Sequence, residues 1–585
     1  QTIHRPFTAC AVGDKYKYST EVTKSYNNKA RKIKRKTPIN KIVSTGDDCG
    51  KLLLDKICSL HKNKSIPNEL FEKTKKDMME RIEKSCRKKA DNANCKNEDT
   101  REKYFDKLYN SSIKNIDEKI NKKLSRMCDN NILMIAHNAG YDYRFLQKYL
   151  CNIKQITKGN GLMNATADYY YNDVKYTIEF KDSLKLIPMK LEKFGKCFNL
   201  KQEKEVMPYG LYTAESIKNK FIKMEKAKVY LKNNYNQFYK NCKKLDIITN
   251  IDGYDCFDCM KYCEYYCMLD CKVLKNGYST YRNWILEALD LDIDCCWTTA
   301  SLADKYLHSK GCYDGVYQLS GTPQFFIQKC VVGGRTMMRD NEKQSFDGTD
   351  DDERMADYDG VSLYPSSMAR MDGFLKGTPK VLTTEQMNKS FLDTVDGYFI
   401  KIQIKKVNKH RHFPLMSSIN KEGVRVFTND MVGEYQYVDK VTLEDYIEFQ
   451  DIEYDIIKGY YYDEGRNTTI NKVIKYLFNE RLKKKAVKNP IQIVYKLIMN
   501  ASYGKTILKP ITTDELVISG EDKFHKYLIK NYNHIIELNE MFECKKYRVK
   551  IHKSINKHFN YASCGVEILS MSKRIMNEAI CLAED

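Results

Sequence analysis

The 585-residue sequence predicts a multidomain chain that combines α/β and α+β folds. At about 150 residues per domain, the length corresponds to roughly four domains, or to fewer if one is large. An apolar run of strand length changes directly into a helical pattern within 130–149, which is typical of α/β proteins. Strand-like and loop-like segments at 395–460 precede a lysine-rich helical pattern at 468–488, which indicates a separate α+β part.

The composition is basic and excludes several classes of protein. Lys and Arg number 99 against 77 Asp and Glu, which gives a net charge of +22 and a pI near 9.0. This balance favours a polyanionic partner such as nucleic acid. The alternative is genome composition, because the abundant Lys, Asn, Ile and Tyr have AT-rich codons. No apolar run approaches the ~20 residues that span a bilayer, so we expect no membrane partner.

The 21 cysteines show no disulfide framework. They are scattered and no secretory signal is visible, so we expect reduced thiols in an intracellular protein that is not secreted. The tightest cluster contains Cys256, Cys259, Cys263, Cys267 and Cys271. Its CxxC start is compatible with zinc. Alternatively, the last three cysteines share one face of a helix and pack as small apolar residues.

The first half of the chain alternates between strand and helix patterns. Residues 1–20 are expected to form strands, and the basic run at 31–36 is either a solvated loop or a DNA-binding or nuclear-localisation patch. A charged, helical insertion without motifs covers about 55–127. A strand and helix at 130–149, a strand pair at 168–183 and a set of helices follow.

The segment DYDGVSLYPSSM (357–368) has the residues of a nucleotide site. Nucleotidyl transfer needs carboxylates that hold two Mg²⁺ ions, and Asp359 stands where a buried strand is expected to end. Gly360 permits a turn, and Pro365 fits the first turn of the helix that follows. The turn directs three backbone amides towards a triphosphate, namely those of Val361, Ser362 and Leu363. For the bare Asp–Gly pair, an exposed turn is the alternative.

A second element supplies cations for a triphosphate. Arg481 and Lys485 are one turn apart on a first helix, and Lys496 and Asn500 are one turn apart on a second helix. The break at Pro490 predicts that the two helices fold into an antiparallel hairpin. A solvated lysine-rich helix is the alternative.

The segment DYDGVSLYPSSM (357–368) resembles motif A, DxxSLYPS, of the family B DNA polymerases. The resemblance implies that Asp359 is a metal-binding carboxylate. It also implies that Tyr364 stacks under the sugar and excludes a 2′-hydroxyl, so that the substrates are deoxynucleoside triphosphates (dNTPs).

The string KLIMNASYGKT (496–506) resembles motif B of the same family, KxxxNSxYG. The resemblance implies that Lys496 and Arg481 grip the triphosphate, and that Tyr503 and Gly504 approach the nascent base pair and the template. Ala501 departs from the usual Ser.

Family B enzymes carry a 3′–5′ exonuclease upstream, with a second two-metal site. HNAGYDYRFL (137–146) resembles its second motif, with Asp142 as a metal ligand and Asn138 as a contact to the primer end. His137 is interpreted as a packed or hydrogen-bonded neighbour rather than a ligand. YCMLD resembles the third motif, with Asp270 as a metal ligand and Tyr266 orienting the attacking water.

The first exonuclease motif, DxE, and polymerase motif C are not found. Asp351 to Glu353 gives a DxE-like string, but it follows the third motif and so has the wrong order. The chain starts within a strand pattern that resembles the strand after DxE, and it stops within a helix that resembles the one before motif C. We therefore expect a fragment that is itself inactive.

Other segments resemble the protein-primed branch of the family, as found in viruses, virophages and linear plasmids. Ser183 and Leu184 match its Ser-Leu segment for single-stranded DNA, and Lys204 is matched to its exonuclease lysine. VVGGRT (331–336) resembles the YxGG linker between the two active sites, with Gly333 and Gly334 near phosphate and Val331 in place of Tyr.

The resemblance divides the chain into six parts: an RNase H-like exonuclease domain at 1–295, a junction at 296–345, a palm with motif A at 346–380, a palm insertion or terminal-protein region at 381–460, two-helix fingers at 461–508 and a truncated palm continuation at 509–585, with the thumb absent. It implies a monomeric DNA-directed DNA polymerase with a proofreading exonuclease. The expected partners are primer-template DNA, dNTPs and a terminal priming protein, and the cofactors are two Mg²⁺ per active site, or Mn²⁺. The alternative is a nuclease or a non-catalytic DNA-binding relic.

Overall fold

The structure is a computed structural model of the chain. It describes residues 8–13, 40–46, 48–60, 68–91, 93, 97–114, 116–117, 120, 130–158, 161–172, 174–201, 205–343, 358–508, 513–541, 545–553 and 558–585. Within these ranges helices and strands are mixed along the chain, which confirms the mixed α/β class.

The strands have the following bounds: β1 Thr8–Gly13, β2 Asn40–Thr45, β3 Asn131–Ala136, β4 Cys151–Lys158, β5 Gly161–Tyr171, β6 Val174–Asp182, β7 Phe221–Lys223, β8 Ile248–Ile251, β9 Tyr254–Asp258, β10 Phe374–Leu375, β11 Lys380–Val381, β12 Gly397–Val407, β13 Ser417–Ile419, β14 Arg425–Phe427, β15 Tyr435–Asp439, β16 Ile452–Tyr462, β17 Arg466–Asn467, β18 Thr513–Ser519, β19 Ile535–Met541 and β20 Lys546–His552.

The α-helices have the following bounds: α1 Cys49–Leu60, α2 Asn68–Asp91, α3 Glu98–Ile113, α4 Ala139–Leu146, α5 Ser183–Leu186, α6 Phe194–Cys197, α7 Ala214–Asn219, α8 Met224–Leu231, α9 Tyr235–Lys244, α10 Cys259–Leu289, α11 Thr299–Ser309, α12 Gly321–Gln328, α13 Leu363–Arg370, α14 Lys389–Leu392, α15 Lys440–Gln450, α16 Thr469–Ala486, α17 Gln492–Ala501, α18 Glu521–Asn531 and α19 Ala562–Glu584.

The largest sheet has seven strands in the order β19-β20-β18-β4-β5-β6-β3. Strands β4, β5 and β6 form an antiparallel meander, whereas β3 runs parallel to β6. The predicted strand-to-helix corner is therefore present as β3 and α4, and the predicted strand pair as β5 and β6. Because β3 and β6 are parallel neighbours, their carboxyl ends lie next to each other, and so do the turns that follow them.

Three strands of the C-terminal part of the chain, β18, β19 and β20, belong to the same sheet as β3 to β6. Strand β18 pairs with β4 through Glu515, Leu516 and Val517, so β18, β20 and β19 extend the N-terminal sheet. The buried side chain of Val517 belongs to the core of that sheet. The sequence does not reveal this pairing, because an edge strand can accept any strand of suitable pattern.

Helix α10 connects the N-terminal and C-terminal parts of the molecule. It contacts both β1 and α17. Gly277 lies where a Cβ atom would be 2.4 Å from the ring of Phe194, so the absence of a side chain admits the ring against the helix. Phe194 is fully buried in the largest core.

A second sheet of four strands, in the order β11-β16-β12-β15, covers the region predicted to contain strands and loops. The prediction missed α15, which lies between β15 and β16. Asp439 begins this helix by accepting a hydrogen bond from the backbone N–H of Thr442. Helix α19 packs on α15 and α13.

The predicted helical hairpin is present as α16 and α17, which pack against each other. Both helices also pack against α13. The predicted helical insertion corresponds to α1, α2 and α3, and the helical end of the chain to α19. Among the residues that the structure describes, no helix is both long and apolar enough to cross a bilayer.

Candidate functional site

The motif A segment (357–368), which the structure describes from Tyr358 onwards, leads into helix α13 through a residue in the left-handed conformation. Ser362 has φ 50° and directly precedes the helix, and its carbonyl accepts a hydrogen bond from the backbone of Ser366 at 2.9 Å. Pro365 lies in the first turn, as expected. Asp359 is exposed in front of the helix start, and the strand expected before it lies outside the described residues.

Two tyrosines join the motif A segment to the motif B segment (496–506). The rings of Tyr364 and Tyr503 stack with centroids 3.9 Å apart and planes 19° apart. Burial, followed by the contact with Tyr364, raises the pKa of Tyr503 to about 12. The two tyrosines that the motifs predict are therefore in direct ring contact. Tyr364 belongs to α13, and Tyr503 follows the end of α17.

Arg481 of the hairpin faces the same turn. Its Nη1 donates to Ser362 Oγ at 3.4 Å, and its Nε is buried without a hydrogen-bond partner among the described residues. An unsatisfied guanidinium N–H is unfavourable unless an anion arrives. This orphaned donor beside a helix start is an arrangement that suits a phosphate group.

The other residues that the motifs predict in and after the hairpin are exposed or partly exposed. Lys485, Lys496 and Asn500 are solvent-exposed, and Gly504 is partly exposed at the end of α17. Their roles in nucleotide or DNA contact stay predictions.

Helix α13 is held at its C-terminal end by the base of the hairpin. The side-chain amide of Asn471 in α16 donates to the carbonyls of Met368 at 3.1 Å and Met371 at 2.5 Å. These carbonyls lack partners within their own helix. The motif A helix is thus fixed to the hairpin at both ends, by Asn471 at one end and by Arg481 at the other.

The second candidate site lies at the carboxyl ends of β3 and β6. Asn138 adopts the left-handed conformation with φ 66°, which Asn tolerates better than most residues. Asp182 accepts hydrogen bonds from the backbone N–H groups of Asn138 and Leu184, both at 2.9 Å. Since one carboxylate joins both corners, the predicted Asn138 and Ser-Leu segments lie together.

Asp142 lies in the first half of α4 and keeps access to solvent. Even so, partial desolvation, followed by the negative charge of a deprotonated Cys267 and then that of Asp182, raises the pKa of Asp142 to about 6. A carboxylate in such surroundings favours a nearby cation.

Tyr266 and Asp270 lie one turn apart on α10, as the third motif requires. The hydroxyl of Tyr266 contacts that of Tyr209 at 2.7 Å. Burial and the carboxylate of Asp270 raise the pKa of Tyr266 well above its ordinary value, so the phenol stays protonated. Asp142 and Asp270 both lie near the thiols of α10, because Cys267 acts on the pKa of Asp142 and Asp270 acts on that of Cys271.

The Ser-Leu segment is only partly open. Ser183 is fully buried and donates its hydroxyl to the carbonyl of Ala136 at 3.0 Å. Leu184 lines an open cavity of about 630 Å³. The other lining residues are Lys185, Pro188, Met189, Lys190 and Lys193. Lys204, the third predicted residue of this group, lies outside the described residues.

Arg335 anchors the linker segment at 331–336, and the two glycines before it have free space around them. A Cβ atom at Gly333 or Gly334 would meet nothing within 4 Å. Arg335 donates to the carbonyl of Phe413 at 2.7 Å and to the side chain of Asn577 at 2.8 Å. The glycines are therefore not required by contacts among the described residues, and their predicted approach to DNA stays a prediction.

The carboxylates fit a hard divalent cation by chemistry but not by number. Oxygen ligands suit Mg²⁺ and Mn²⁺, and Asp359, Asp142 and Asp270 provide them. In the described part of the chain, however, no three His, Cys, Asp or Glu side chains are grouped to hold a metal ion. Cys256, Cys259 and Cys263 are buried.

Sequence reasoning missed three residues that support these sites: Asp182, Tyr209 and Asn471. Asp182 had a signal, because it directly precedes Ser183 at the end of a predicted strand. Tyr209 and Asn471 had none, since their partners are 57 and about 100 residues away in the sequence.

These features define a mixed α/β protein with a candidate phosphate site and a second, acidic site. A family model described as DNA polymerase type B, organellar and viral, matches residues 123–583. The chain belongs to this family, which confirms the family B interpretation.

The individual relatives share 15–22% sequence identity with this chain. A probable DNA polymerase of Ascobolus immersus is 22% identical over 368 residues, which cover 60% of this chain and 28% of that protein. The match thus spans less than a third of the relative. Phi29 DNA polymerase, in a complex with primer-template DNA and in a ternary complex that adds incoming nucleotides, is 15% identical with a TM-score of 0.48, covering 77% of this chain and 69% of that chain.

Proposed function

We propose that the full-length protein is a DNA-directed DNA polymerase that replicates viral or mobile-element DNA. The 3′-hydroxyl of a primer, or a protein hydroxyl at initiation, attacks the α-phosphorus of a dNTP, and pyrophosphate leaves. The observation that carries the proposal is the junction of the two motifs: the buried, unpaired Nε of Arg481 and the Tyr364–Tyr503 stack lie around the start of α13.

Each residue of this junction has a role that its chemistry supports. Arg481 and Lys496 bind the triphosphate through charge-assisted hydrogen bonds. The amides at the start of α13 face the same anion. Tyr364 lies under the sugar and excludes a 2′-hydroxyl, and Tyr503 supports its ring from the opposite side.

Asp359 would hold Mg²⁺, which supplies charge neutralisation at the triphosphate and activation of the attacking oxygen. The exposed position of Asp359 leaves its oxygens available for this purpose. The net charge of +22 supports salt-dependent DNA binding without sequence preference.

The acidic site of the N-terminal sheet supports a proofreading 3′–5′ exonuclease. In this proposal Asp142 and Asp270 would hold divalent cations, Tyr266 orients the attacking water, and the Leu184 cavity receives the unpaired primer end. Protein priming, with a terminal protein bound by the 381–460 region, is part of the same proposal and rests on the sequence resemblance.

The decisive experiment is nucleotide incorporation by the full-length protein carrying Asp359→Ala. We expect extension of a primer-template to fall by at least about 100-fold, since a metal-binding carboxylate contributes several kcal/mol to the transition state. Asp522→Ala, on exposed helix α18, is the matched control and should leave extension unchanged.

Two results would contradict the proposal. Unchanged extension by the Asp359→Ala protein would remove Asp359 from the active site. A parent protein that binds DNA and never incorporates a nucleotide would instead identify a nuclease or a non-catalytic relic, and its exonuclease activity would separate these two.

A further inference from the structure

The four-stranded sheet has one buried face and one face that is partly open. On β12 the fully buried residues of the first face are Ile400, Ile402 and Ile404. Lys401 and Gln403 alternate with them and therefore point to the second face. Helix α12 covers one end of this second face, where the ring of Phe326 meets that of Tyr437 edge-on with centroids 5.3 Å apart. The rest of the face is open.

Lys401 lies in the middle of a row of three cross-strand neighbours on the open face. It is paired directly with Tyr437 of β15 on one side and with Lys458 of β16 on the other. Directly opposed residues share a face, and like charges in such positions repel each other. Neither lysine forms an ion pair with a described residue, whereas Lys405 on the same strand is paired with Asp455 at 2.8 Å. An anion between Lys401 and Lys458 would relieve their repulsion.

Aromatic rings alternate with ammonium groups along this face. Nζ of Lys401 lies 3.6 Å from the ring centroid of Tyr435 and 6.0 Å from that of Tyr437. Nζ of Lys329 in α12 lies 5.0 Å from the centroid of Tyr437 and 4.8 Å from that of Phe325. Tyr435 and Phe325 are 48% and 56% exposed. We name the set formed by these five residues and Lys458 the lysine–ring face.

The lysine–ring face has the chemistry of a surface for single-stranded nucleic acid. Such surfaces combine cations that follow the phosphates with rings on which unpaired bases stack. A base stacked on a ring stabilises more than an ammonium group over an exposed ring does, so a strand that draws the lysines to its phosphates gains the ring faces that they release. A double helix keeps its bases inside and uses the lysines alone. An acidic protein surface also matches the lysines and is the other class of occupant.

The lysine–ring face is continuous with the linker segment at 331–336. Val331 packs in the same small core as Tyr437, and Lys329 is two residues before it. The two glycines of the linker are exposed and have free space around them. Opposing charge comes from Glu434, which is exposed beside Tyr435. A strand bound to the face can therefore continue along the linker without meeting a side chain at the glycines.

We propose that the lysine–ring face binds single-stranded DNA, with its lysines at the phosphates and its rings under the bases. Its residues lie outside the motifs of the nucleotide site and of the acidic site. The proposal rests on the proposed function only for the choice of DNA over RNA.

Equilibrium binding of an oligothymidylate of about 12 nucleotides to the 585-residue chain tests the rings. We expect Tyr435→Ala to weaken binding by at least about fivefold, because one base loses its stacking partner, and Tyr435→Phe to keep the parent affinity. Tyr532→Ala, at a 78% exposed position after α18, is the matched control and should leave the affinity unchanged. A duplex of the same length should bind the parent and Tyr435→Ala equally.

Two results of this experiment would overturn the proposal. One is an unchanged oligothymidylate affinity in Tyr435→Ala, and the other is an equal loss of affinity for the duplex. Thermal unfolding shows whether weak binding reflects loss of the fold. If Tyr435→Ala lowers the melting temperature, Phe325→Ala carries the same test from α12.

The salt dependence of oligothymidylate binding tests the lysines. Each phosphate contact to a single strand adds about 0.7 to the slope of log affinity against log salt concentration. We therefore expect the double variant Lys401→Gln/Lys458→Gln to reduce the slope by about 1.4. Lys523→Gln/Lys526→Gln, at exposed positions of α18, removes the same charge and should keep the parent slope. Equal slopes for the two double variants would assign the binding to overall charge and overturn the proposal.

Polyglutamate, which supplies carboxylates without bases, separates DNA from protein as the occupant. We expect it to compete poorly with oligothymidylate at equal charge. If Lys401→Gln/Lys458→Gln weakens polyglutamate binding and leaves oligothymidylate binding unchanged, the face binds an acidic protein and the proposal is overturned. Nucleotide incorporation tests the proposed function separately. A full-length protein that never incorporates a nucleotide, but binds oligothymidylate through Tyr435 and Lys401, contradicts the polymerase proposal and leaves the lysine–ring face assigned.

Discussion

Glu567 shows how a single buried charge sets a pH dependence. Its side chain lies in α19 with 5% exposure, and its Oε1 is 2.9 Å from Nη2 of Arg466. Burial raises the pKa of Glu567 to about 7, although Arg466 acts in the opposite direction. The folded protein therefore holds a proton that the unfolded chain releases near pH 4.5, so this residue lowers stability as the pH rises from about 4.5 to 7.

We predict that Glu567→Gln increases the free energy of unfolding by about 1–3 kcal/mol at pH 8 and leaves it unchanged near pH 4.5. The reason is that Gln resembles the protonated acid and never needs to ionise. Urea unfolding at the two pH values measures the effect. On the same helix, Glu578→Gln removes an exposed pair with Arg370 and should lower stability by less than about 1 kcal/mol at pH 8. A destabilised Glu567→Gln protein at pH 8 would contradict the prediction.

Lys496 is predicted from motif B to contact the triphosphate. In the full-length protein we predict that Lys496→Ala raises the KM for dNTP and lowers kcat, because a charge-assisted phosphate contact is worth about 1.5–3 kcal/mol. Steady-state primer extension measures both constants. Lys483→Ala, which removes an exposed lysine of the same hairpin paired with Glu480, should alter neither. An unaltered KM for Lys496→Ala would exclude Lys496 from the site.

At the scale of elements, the position of α13 depends on the helical hairpin that follows it about 100 residues later. Asn471 binds the last carbonyls of α13, and Arg481 reaches the residue before its first turn. The buried faces of α13, α16 and α17 share the largest core. The two family motifs are thus held together by packing and by polar contacts at both helix ends.

We predict that Asn471→Ala lowers the free energy of unfolding by about 1–3 kcal/mol, because the carbonyls of Met368 and Met371 lose a partly buried donor. Denaturant unfolding measures this loss. Asn531→Ala is the control, since Asn531 makes a local contact with Tyr527 on peripheral helix α18 and should cost less than about 1 kcal/mol. Equal effects of the two changes would show that Asn471 does not anchor α13.

At the scale of the whole molecule, segments that are distant in sequence form one sheet and one hydrophobic core. Glu515 of β18 accepts hydrogen bonds from Gln155 of β4 at 2.5 Å and from Arg548 of β20 at 2.8 Å. The largest core combines side chains of α6, α10, α11, α13, α16, α17 and α19. The N-terminal and C-terminal parts are therefore coupled structurally.

We predict that Val517→Asp increases hydrogen–deuterium exchange in β4 and in β18 to β20, while β12 to β16 keep their protection. Val517 is 2% exposed in the core of the N-terminal sheet, and a carboxylate there loses its hydration. Leu538→Asp, at a 45% exposed position on β19, is the matched control and should change exchange little. Equally increased exchange in β12 to β16 would indicate global destabilisation instead.

The sequence predicted the elements whose signals are local. The hairpin follows from the break at Pro490 and from cations spaced by one turn, and the β3–α4 corner follows from an apolar run that changes period. Helix α15 was missed because its pattern lies within strand-like sequence, and its start depends on the side chain of Asp439. The site residues named from motifs stay predictions where they are exposed, as with Asp359 and Lys496.

By itself, the sequence determined the family, the motif order and the residues that carry charge, since these depend on residue type and spacing. Only the tertiary structure decided that β18 pairs with β4, that Asn471 holds α13, and that His137 contacts Ser183 and Met189 through its ring nitrogens. Each of these contacts joins groups separated by tens or hundreds of residues. Such partners are selected by the geometry of the packed chain, which local patterns do not encode.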